Sequence, residues 1–174
     1  MKKTYVTLMI VLVMLFATTV ASASSDASRN FIAPLSGGEE VPPRDTNATG
    51  VAHFKLSKDG TELEYKLIVA NIENVHMAHI HLAPAGVNGG IVAWLYPPAP
   101  PAMHIPGRTD GVLAEGTITA ANLVGALAGQ PLSALIEAMS EGNTYVNVHT
   151  DDGVDPPNTG PGDFPGGEIR GQIK

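Results

Sequence analysis

Residues 50–69, GVAHFKLSKDGTELEYKLIV, decide the fold class of this chain because they predict a β-hairpin. In each arm, apolar and polar side chains alternate with a period of two, as in a strand with one buried face. The arms are the predicted strands Gly50–Leu56 and Leu63–Val69. Asp59 and Gly60 lie between them, and this dipeptide favours a hairpin turn because glycine readily adopts a positive φ. The stretch therefore predicts antiparallel β-structure.

Further strands are predicted on both sides of this hairpin. Phe31–Leu35 is interpreted as an edge strand, because Pro34 has no N–H to donate to a central ladder. The other predicted strands are Met77–Leu82, Ile91–Tyr96, Leu113–Ile118, Tyr145–His149 and Glu168–Ile173. A proline-rich loop at 97–107 interrupts the series. Many short strands with glycine and proline turns predict a mainly β fold, an antiparallel Greek-key β-sandwich or barrel.

One region, at about 120–141, has helical periodicity and predicts a short helical insertion in this β domain. Thr119 is placed to cap a first helix over Ala120–Ala126. A second helix is predicted from Pro131 through Met139, with Gly142 placed to end it.

The first 23 residues have the three parts of a secretory signal peptide. Two lysines precede an apolar run, and small residues ending at Ala23 form a cleavage site. A membrane anchor is the alternative, but the run is only about as long as the shortest spanning helices, roughly 17 residues. We therefore expect a signal peptide over 1–23, a flexible leader over 24–30 and one domain over 31–174. The expected location is secreted, in the extracellular or cell-envelope space.

Composition and charge exclude several classes of function. The chain of 174 residues has a formal net charge of −7 and no cysteine. A negatively charged domain repels phosphate backbones, so no nucleic-acid partner is expected, and no membrane association is expected after signal cleavage. The sequence has neither a thiol nucleophile nor a Gly-x-Ser-x-Gly elbow. No catalytic residue is predicted.

Two segments, 76–81 and 145–150, contain four of the six histidines and overlap two of the predicted strands. His79 and His81 share one face of their strand, and His149 shares a face with Tyr145 and Asn147 on the other. If the strands meet, the three histidines converge. Three neutral imidazoles suit copper, zinc or another first-row divalent ion. The alternative is a hydrogen-bonded cluster with a structural role.

Two further questions concern the ligand set and the metal. His76 either lies on the opposite face from His79 or curves back as a fourth ligand. Copper is favoured over zinc, because the chain offers no thiolate and the expected environment is oxidising.

Several polar residues are candidates to support the histidines. Glu168 and Arg170 share a face of the last strand, where the pair would orient an imidazole, or Arg170 would attract an anion to an open metal position. A surface ion pair is the alternative. Asn147 and Tyr145 are candidates for the same supporting role. The acidic stretch 151–155, together with Asp163, offers the oxygen ligands that calcium prefers, but its spacing is not that of an EF-hand loop. The alternative is that these aspartates only form turns.

Five motifs in this order resemble the CHRD domain. They are residues 35–43 (LSGGEEVPP), 78–81 (AHIH), 86–89 (GVNG), 142–150 (GNTYVNVHT) and 167–173 (GEIRGQI). The domain is named after chordin, an extracellular antagonist of bone morphogenetic proteins, and it also occurs alone in secreted microbial proteins. The resemblance covers about Phe31–Lys174 and implies a secreted, single-domain protein of the microbial type.

The histidine spacing is also similar to the copper site of Cu,Zn superoxide dismutase, although this chain has no disulfide and no recognisable zinc loop. Three functions follow as hypotheses. The first is transition-metal binding, with copper favoured and redox activity at an open coordination position. The second is an extracellular adhesion or protein-interaction module with a protein or matrix partner and structural histidines. The third is a superoxide dismutase-like enzyme.

Overall fold

The computed structural model describes residues 29–154, 158 and 160–174. The predicted signal peptide, and the leader as far as residue 28, lie outside the described residues. The elements are β1 (Asn30–Ser36), β2 (Thr49–Leu56), β3 (Leu63–Leu82), β4 (Gly90–Tyr96), β5 (Ile105–Ile118), α1 (Leu132–Ser140), β6 (Thr144–Thr150) and β7 (Ile169–Gln172). None of the helices in the described ranges is both long and apolar enough to cross a membrane.

The 20-residue strand β3 organises the sheet. Its first half pairs with β2 and β5, and its second half pairs with β6 and β4, all antiparallel. The strands β1 and β7 lie between β2 and β6 and join them. The sheet therefore closes on itself through β2, β1, β7, β6 and β3, while β4 and β5 each pair with β3 alone. The predicted antiparallel β-sandwich or barrel with a short helical insertion is confirmed.

The continuity of β3 corrects the sequence analysis, which placed separate strands at 63–69 and 77–82. Asn71 and Asn74 have positive φ values of 56° and 52°, a region that asparagine tolerates better than most residues. Irregularities in the pairing with β5 fall around both residues. The polar stretch therefore bends the strand and does not end it. One consequence is that the hairpin and the histidine segment belong to the same strand.

The prediction that β1 is an edge strand was wrong. It pairs with β2 along its full length, and Ile32 exchanges backbone hydrogen bonds with Lys174 on the other side. Because strand residues two apart point their N–H groups to the same side, Pro34 faces β7 as well. Its missing N–H explains why β1 and β7 share only one registered pair, Ser36 with Arg170.

Two other elements differ from the prediction. The strand β5 begins at Ile105 and not at Leu113, because positive φ values at Gly107 and Gly111 let it bend without ending. The first predicted helix is replaced by two 3₁₀ turns, Ala120–Asn122 and Gly125–Leu127. The Asn122 side chain accepts the Thr119 N–H, which favours a local turn over a continued helix.

Residues 78–81 of β3 and the whole of β6 are buried on both faces. Ala78 and Ile80 face the apolar core, where α1 contributes Leu132, Leu135, Ile136 and Met139. The opposite face carries His79, His81 and His149, which are at most 7% exposed. Two loops, residues 83–89 and residues 160–167, contact this polar face. The loops thus bury the polar face on the side of the sheet opposite the apolar core.

Candidate metal centre

The three histidines predicted from the two strands converge in the structure. Register pairs His81 with Tyr145, His79 with Asn147 and Met77 with His149, so all three imidazoles project from the same face of the sheet. One ring nitrogen from each of His79, His81 and His149 lies within 4.8 Å of the other two. The separate histidine segments therefore form one cluster.

Backbone carbonyls fix which nitrogens carry protons. His81 Nδ1 lies 3.0 Å from the Gly89 carbonyl oxygen, and His149 Nδ1 lies 2.9 Å from that of Pro165. A carbonyl only accepts, so both Nδ1 atoms donate, and the Nε2 atoms of these neutral rings keep their lone pairs. This is the arrangement by which outer partners commonly orient metal-binding histidines.

The nitrogens that remain point into the cluster. His79 Nδ1 lies 3.3 Å from His149 Nε2, a distance that fits an N–H···N hydrogen bond. Two nitrogens bound at 2.0–2.1 Å to one tetrahedral metal ion lie about 3.4 Å apart, so the pair also matches coordination. Within the described residues, His81 Nε2 and His79 Nε2 are buried without a hydrogen-bond partner. Because His81 Nδ1 donates to Gly89, His81 Nε2 keeps an unused lone pair, as a metal site requires.

The environment keeps the imidazoles uncharged. Burial, followed by the neighbouring histidines, lowers the pKa of His79 to about 3. Burial likewise lowers the pKa of His149 to about 4, against the hydrogen bond to Pro165, which raises it. The pKa of His81 is lowered by burial and by the charge of Arg170, while its hydrogen bond to Gly89 acts in the opposite direction. Neutral imidazole is the form that binds metals.

A pH-dependent stability follows for the metal-free protein. The folded-state pKa of His149, about 4, is below the unfolded value of 6.5, so the unfolded chain takes up this proton first as the pH falls. The stabilisation from this histidine is complete above pH 6.5 and is lost as the pH falls through 4. From pH 7 to 5, we expect the free energy of unfolding to fall by about 2 kcal/mol more in the unmodified protein than in His149→Gln.

Urea titrations at the two pH values measure this difference. Glu40, whose pKa burial raises to about 7, contributes with the opposite sign, because the folded state binds its proton more tightly between pH 4.5 and 7. That contribution is present in both proteins and cancels in the comparison. Equal slopes in the two proteins would contradict the lowered pKa of His149.

His76, the predicted fourth ligand, is not part of the cluster of ligand nitrogens. It is half-buried, and its charge contributes to the lowered pKa values of His79 and His149. The bend at Asn74 and the pairing irregularity between Val75 and Met77 place it beside the cluster. Its role as a ligand stays a prediction.

The side chains of Tyr145 and Arg170 form a stack on His81. The rings of Tyr145 and His81 are parallel within 11°, with centroids 4.9 Å apart. The Arg170 guanidinium lies 3.4 Å from the centroid of the Tyr145 ring. The Gly89 N–H donates to the Tyr145 hydroxyl oxygen over 3.1 Å. Gly89 therefore contacts the stack through its N–H and the imidazole through its carbonyl.

Glu168 and Arg170 do not form the predicted pair. The carboxylate of Glu168 accepts hydrogen bonds from Thr46 Oγ1 (2.5 Å), Thr150 Oγ1 (2.7 Å) and the Gly162 N–H (2.9 Å). Arg170 instead donates to the loop over residues 84–88. Each side chain thus anchors one of the two loops whose carbonyls orient a histidine. The surface-pair alternative is also wrong, since each residue is only 1% exposed.

Three participants in this region carried no usable signal in the sequence. The carbonyls of Gly89 and Pro165 are backbone groups, which a residue pattern does not reveal. Glu40, in the motif at 35–43, is 5% exposed, and its carboxyl interacts with Asn147. Asn147 itself is buried beside Gly167, where any side chain would collide with both groups. Only the fold brings these atoms together.

The acidic stretch also forms a cluster. One oxygen from each of Asp151, Asp152 and Asp163 lies within 4.8 Å of the other two. Asp151 and Asp152 also accept backbone hydrogen bonds from Gly153 and Val154, as aspartates in turns do. These contacts are compatible with both interpretations, so calcium binding stays a prediction.

Comparison with known proteins identifies one family. A family model described as CHRD domain matches residues 31–173, which is most of the chain. No curated protein and no solved structure matches.

Proposed function

This chain belongs to the CHRD domain family, and we propose that it is a secreted protein that binds a transition metal, with copper favoured, through His79, His81 and His149. One observation carries the proposal most directly: three neutral imidazoles bring one ring nitrogen each to within 4.8 Å of the other two, and the Nε2 lone pairs of His81 and His149 belong to this buried group. Such lone pairs are unfavourable when buried alone and are satisfied together by one metal ion.

Copper and secretion have separate support. The ligand set holds imidazoles without thiolates, which suits copper at least as well as zinc. Secretion is supported by the signal-peptide pattern of residues 1–23. Redox activity at an open coordination position belongs to the same proposal. Superoxide dismutase-like chemistry is tested with the copper-loaded protein, and failure to accelerate superoxide loss would exclude it.

The single tryptophan of the chain provides the readout for metal binding. The Trp94 ring contacts the His79 ring edge to face, with centroids 4.3 Å apart. We expect Cu²⁺ to quench the Trp94 fluorescence and to saturate at one ion per chain, because a paramagnetic ion in the cluster would lie beside the indole. We expect Zn²⁺ to compete with Cu²⁺ without comparable quenching.

Matched alanine variants locate the site. His79→Ala and His149→Ala should lose stoichiometric binding, because each removes one of three ligands. His53→Ala is the control, since His53 is an exposed histidine of β2 outside the cluster. Circular dichroism confirms that the variants are folded. Unchanged binding in both cluster variants would rule out the proposed site.

An exposed apolar row supports a second candidate, an extracellular protein-interaction module. Pro34, Val51, Ile68 and Val112 occupy adjacent register positions across β1, β2, β3 and β5. Val112 is 51% exposed, and contiguous apolar surface often marks contact sites. Binding to a protein or matrix partner that survives chelation, in a chain without metal affinity, would favour this candidate.

A further inference from the structure

Arg170 is a buried cation whose hydrogen-bond partners are all neutral. Its guanidinium donates to Asn88 Oδ1 (3.0 Å) and to the carbonyls of Val87 (2.8 Å) and Pro84 (3.4 Å). In the part of the chain that the structure describes, no carboxylate forms an ion pair with it. A buried charge without a paired opposite charge acts strongly on its surroundings, because little solvent screens it.

The acid that interacts with Arg170 offsets this charge only in part. The positive charge of Arg170 lowers the pKa of Glu40, but burial has the larger effect and raises it to about 7. The carboxyl is therefore only partly ionised at neutral pH. The net charge around the guanidinium stays positive.

This positive charge lies close to the histidine cluster. Arg170 and His81 contact opposite faces of the Tyr145 ring, so one aromatic ring separates the guanidinium from the imidazole. A positive charge on the guanidinium repels another cation strongly over this short path, because little solvent screens it. A metal ion on the far side of His81 would experience the same repulsion.

The repulsion depends on the charge of the ion. Among the residues that the structure describes, the cluster consists of three neutral imidazoles and includes no anionic ligand that would compensate the charge of a metal. A divalent ion places twice the charge of a monovalent ion beside Arg170. Resting on the proposed function, we propose that Arg170 makes the histidine site selective for a monovalent ion, Cu(I), over divalent ions such as Zn²⁺.

A merely structural role for Arg170 makes a different prediction. Through its bonds to Pro84, Val87 and Asn88, Arg170 also holds the loop that brings the Gly89 carbonyl to His81. Loss of that support would misplace the imidazole and weaken every metal by a similar factor. Loss of the charge would instead change the ratio of the Cu(I) and Zn²⁺ affinities. Lysine keeps the charge but lacks the planar fork of donors, so it separates the two effects.

The test measures both affinities by competition with chromophoric chelators, with copper held as Cu(I) by ascorbate under anaerobic conditions. We expect the ratio of Cu(I) to Zn²⁺ affinity to fall about tenfold in Arg170→Gln. In Arg170→Lys the ratio should stay near that of the unmodified protein, even if both affinities decrease. Lys66→Gln is the control, because this exposed lysine pairs with Glu115 outside the cluster.

The outcomes separate this inference from the proposed function. An equal loss of both affinities in Arg170→Gln would overturn the charge selectivity and leave Arg170 a structural residue. If Arg170→Gln does not fold, Glu40→Gln provides the test. Removing the partial negative charge of Glu40 should raise the ratio of Cu(I) to Zn²⁺ affinity. An unchanged ratio in this variant would overturn the inference. Failure of the unmodified protein to bind either ion would contradict the proposed function itself.

Discussion

The substitution Gly171→Ala should lower the free energy of unfolding by about 3 kcal/mol. A Cβ atom at this position would lie 2.1 Å from the Pro34 carbonyl oxygen and 2.7 Å from the Pro34 carbonyl carbon. Both are backbone atoms of β1, which is itself paired with β2 and cannot move independently. The added methyl group would therefore force β1 and β7 apart at the place where the sheet closes.

Urea denaturation measures the effect, and Gly90→Ala is the matched control. Gly90 lies in a strand as well, but a Cβ there meets nothing within 4 Å. Replacing such a glycine reduces only the freedom of the unfolded chain, so the control should change the stability by less than about 1 kcal/mol. Similar unfolding midpoints for the two variants would contradict the close approach of β1 and β7.

Glu168→Ala should have a comparable effect on stability, on the order of 4 kcal/mol, and should also weaken the metal site. The carboxylate is buried and accepts hydrogen bonds from Thr46, Thr150 and Gly162, which lie in three separate segments. Its removal leaves the buried donors of Thr150 and Gly162, and the half-buried hydroxyl of Thr46, without this acceptor. Glu115→Ala is the control, because that side chain is 67% exposed and makes only a surface ion pair.

The second effect of Glu168→Ala reaches the site through a loop. Glu168 accepts the N–H of Gly162, and Thr150 Oγ1 accepts that of Phe164, so together they hold the segment that presents the Pro165 carbonyl to His149. We expect the metal affinity of the folded variant to fall by about 10- to 100-fold. Titrations in the absence of urea measure this loss. Unchanged affinity in a folded variant would show that His149 does not depend on this support.

The local pattern of the sequence was sufficient for much of the fold. Period-two alternation predicted β2, the first half of β3 and β6, because one face of each strand must be buried. Alternation also placed His79 and His81 on one face, and His149 on the matching face of β6. The convergence of the three imidazoles needed only the additional condition that the two strands pair.

Other features depended on contacts between distant residues. The sequence around Asn71 and Asn74 looks like a break between strands, and only the pairing partners on both sides show that β3 continues through it. Pro34 indicated that β1 is an edge strand. The strand β1 nevertheless lies next to β7, because these two strands share only one registered pair and the missing N–H of Pro34 is accommodated there. The short apolar pattern after Thr119 fits either an α-helix or a 3₁₀ turn. The hydrogen bond from the Thr119 N–H to the Asn122 side chain stabilises the turn.

The sequence by itself determined the class of fold, the strand that carries each histidine and the face on which each imidazole lies, because these follow from the alternation of side chains along a strand. The tertiary structure decided that this polar face is buried and which loop carbonyls fix the protons of His81 and His149. It also decided that Arg170 lies behind Tyr145 with no ion-paired acid among the described residues. These features join atoms from distant segments. Burial, hydrogen bonding and electrostatic repulsion depend on distances that only the closed barrel sets.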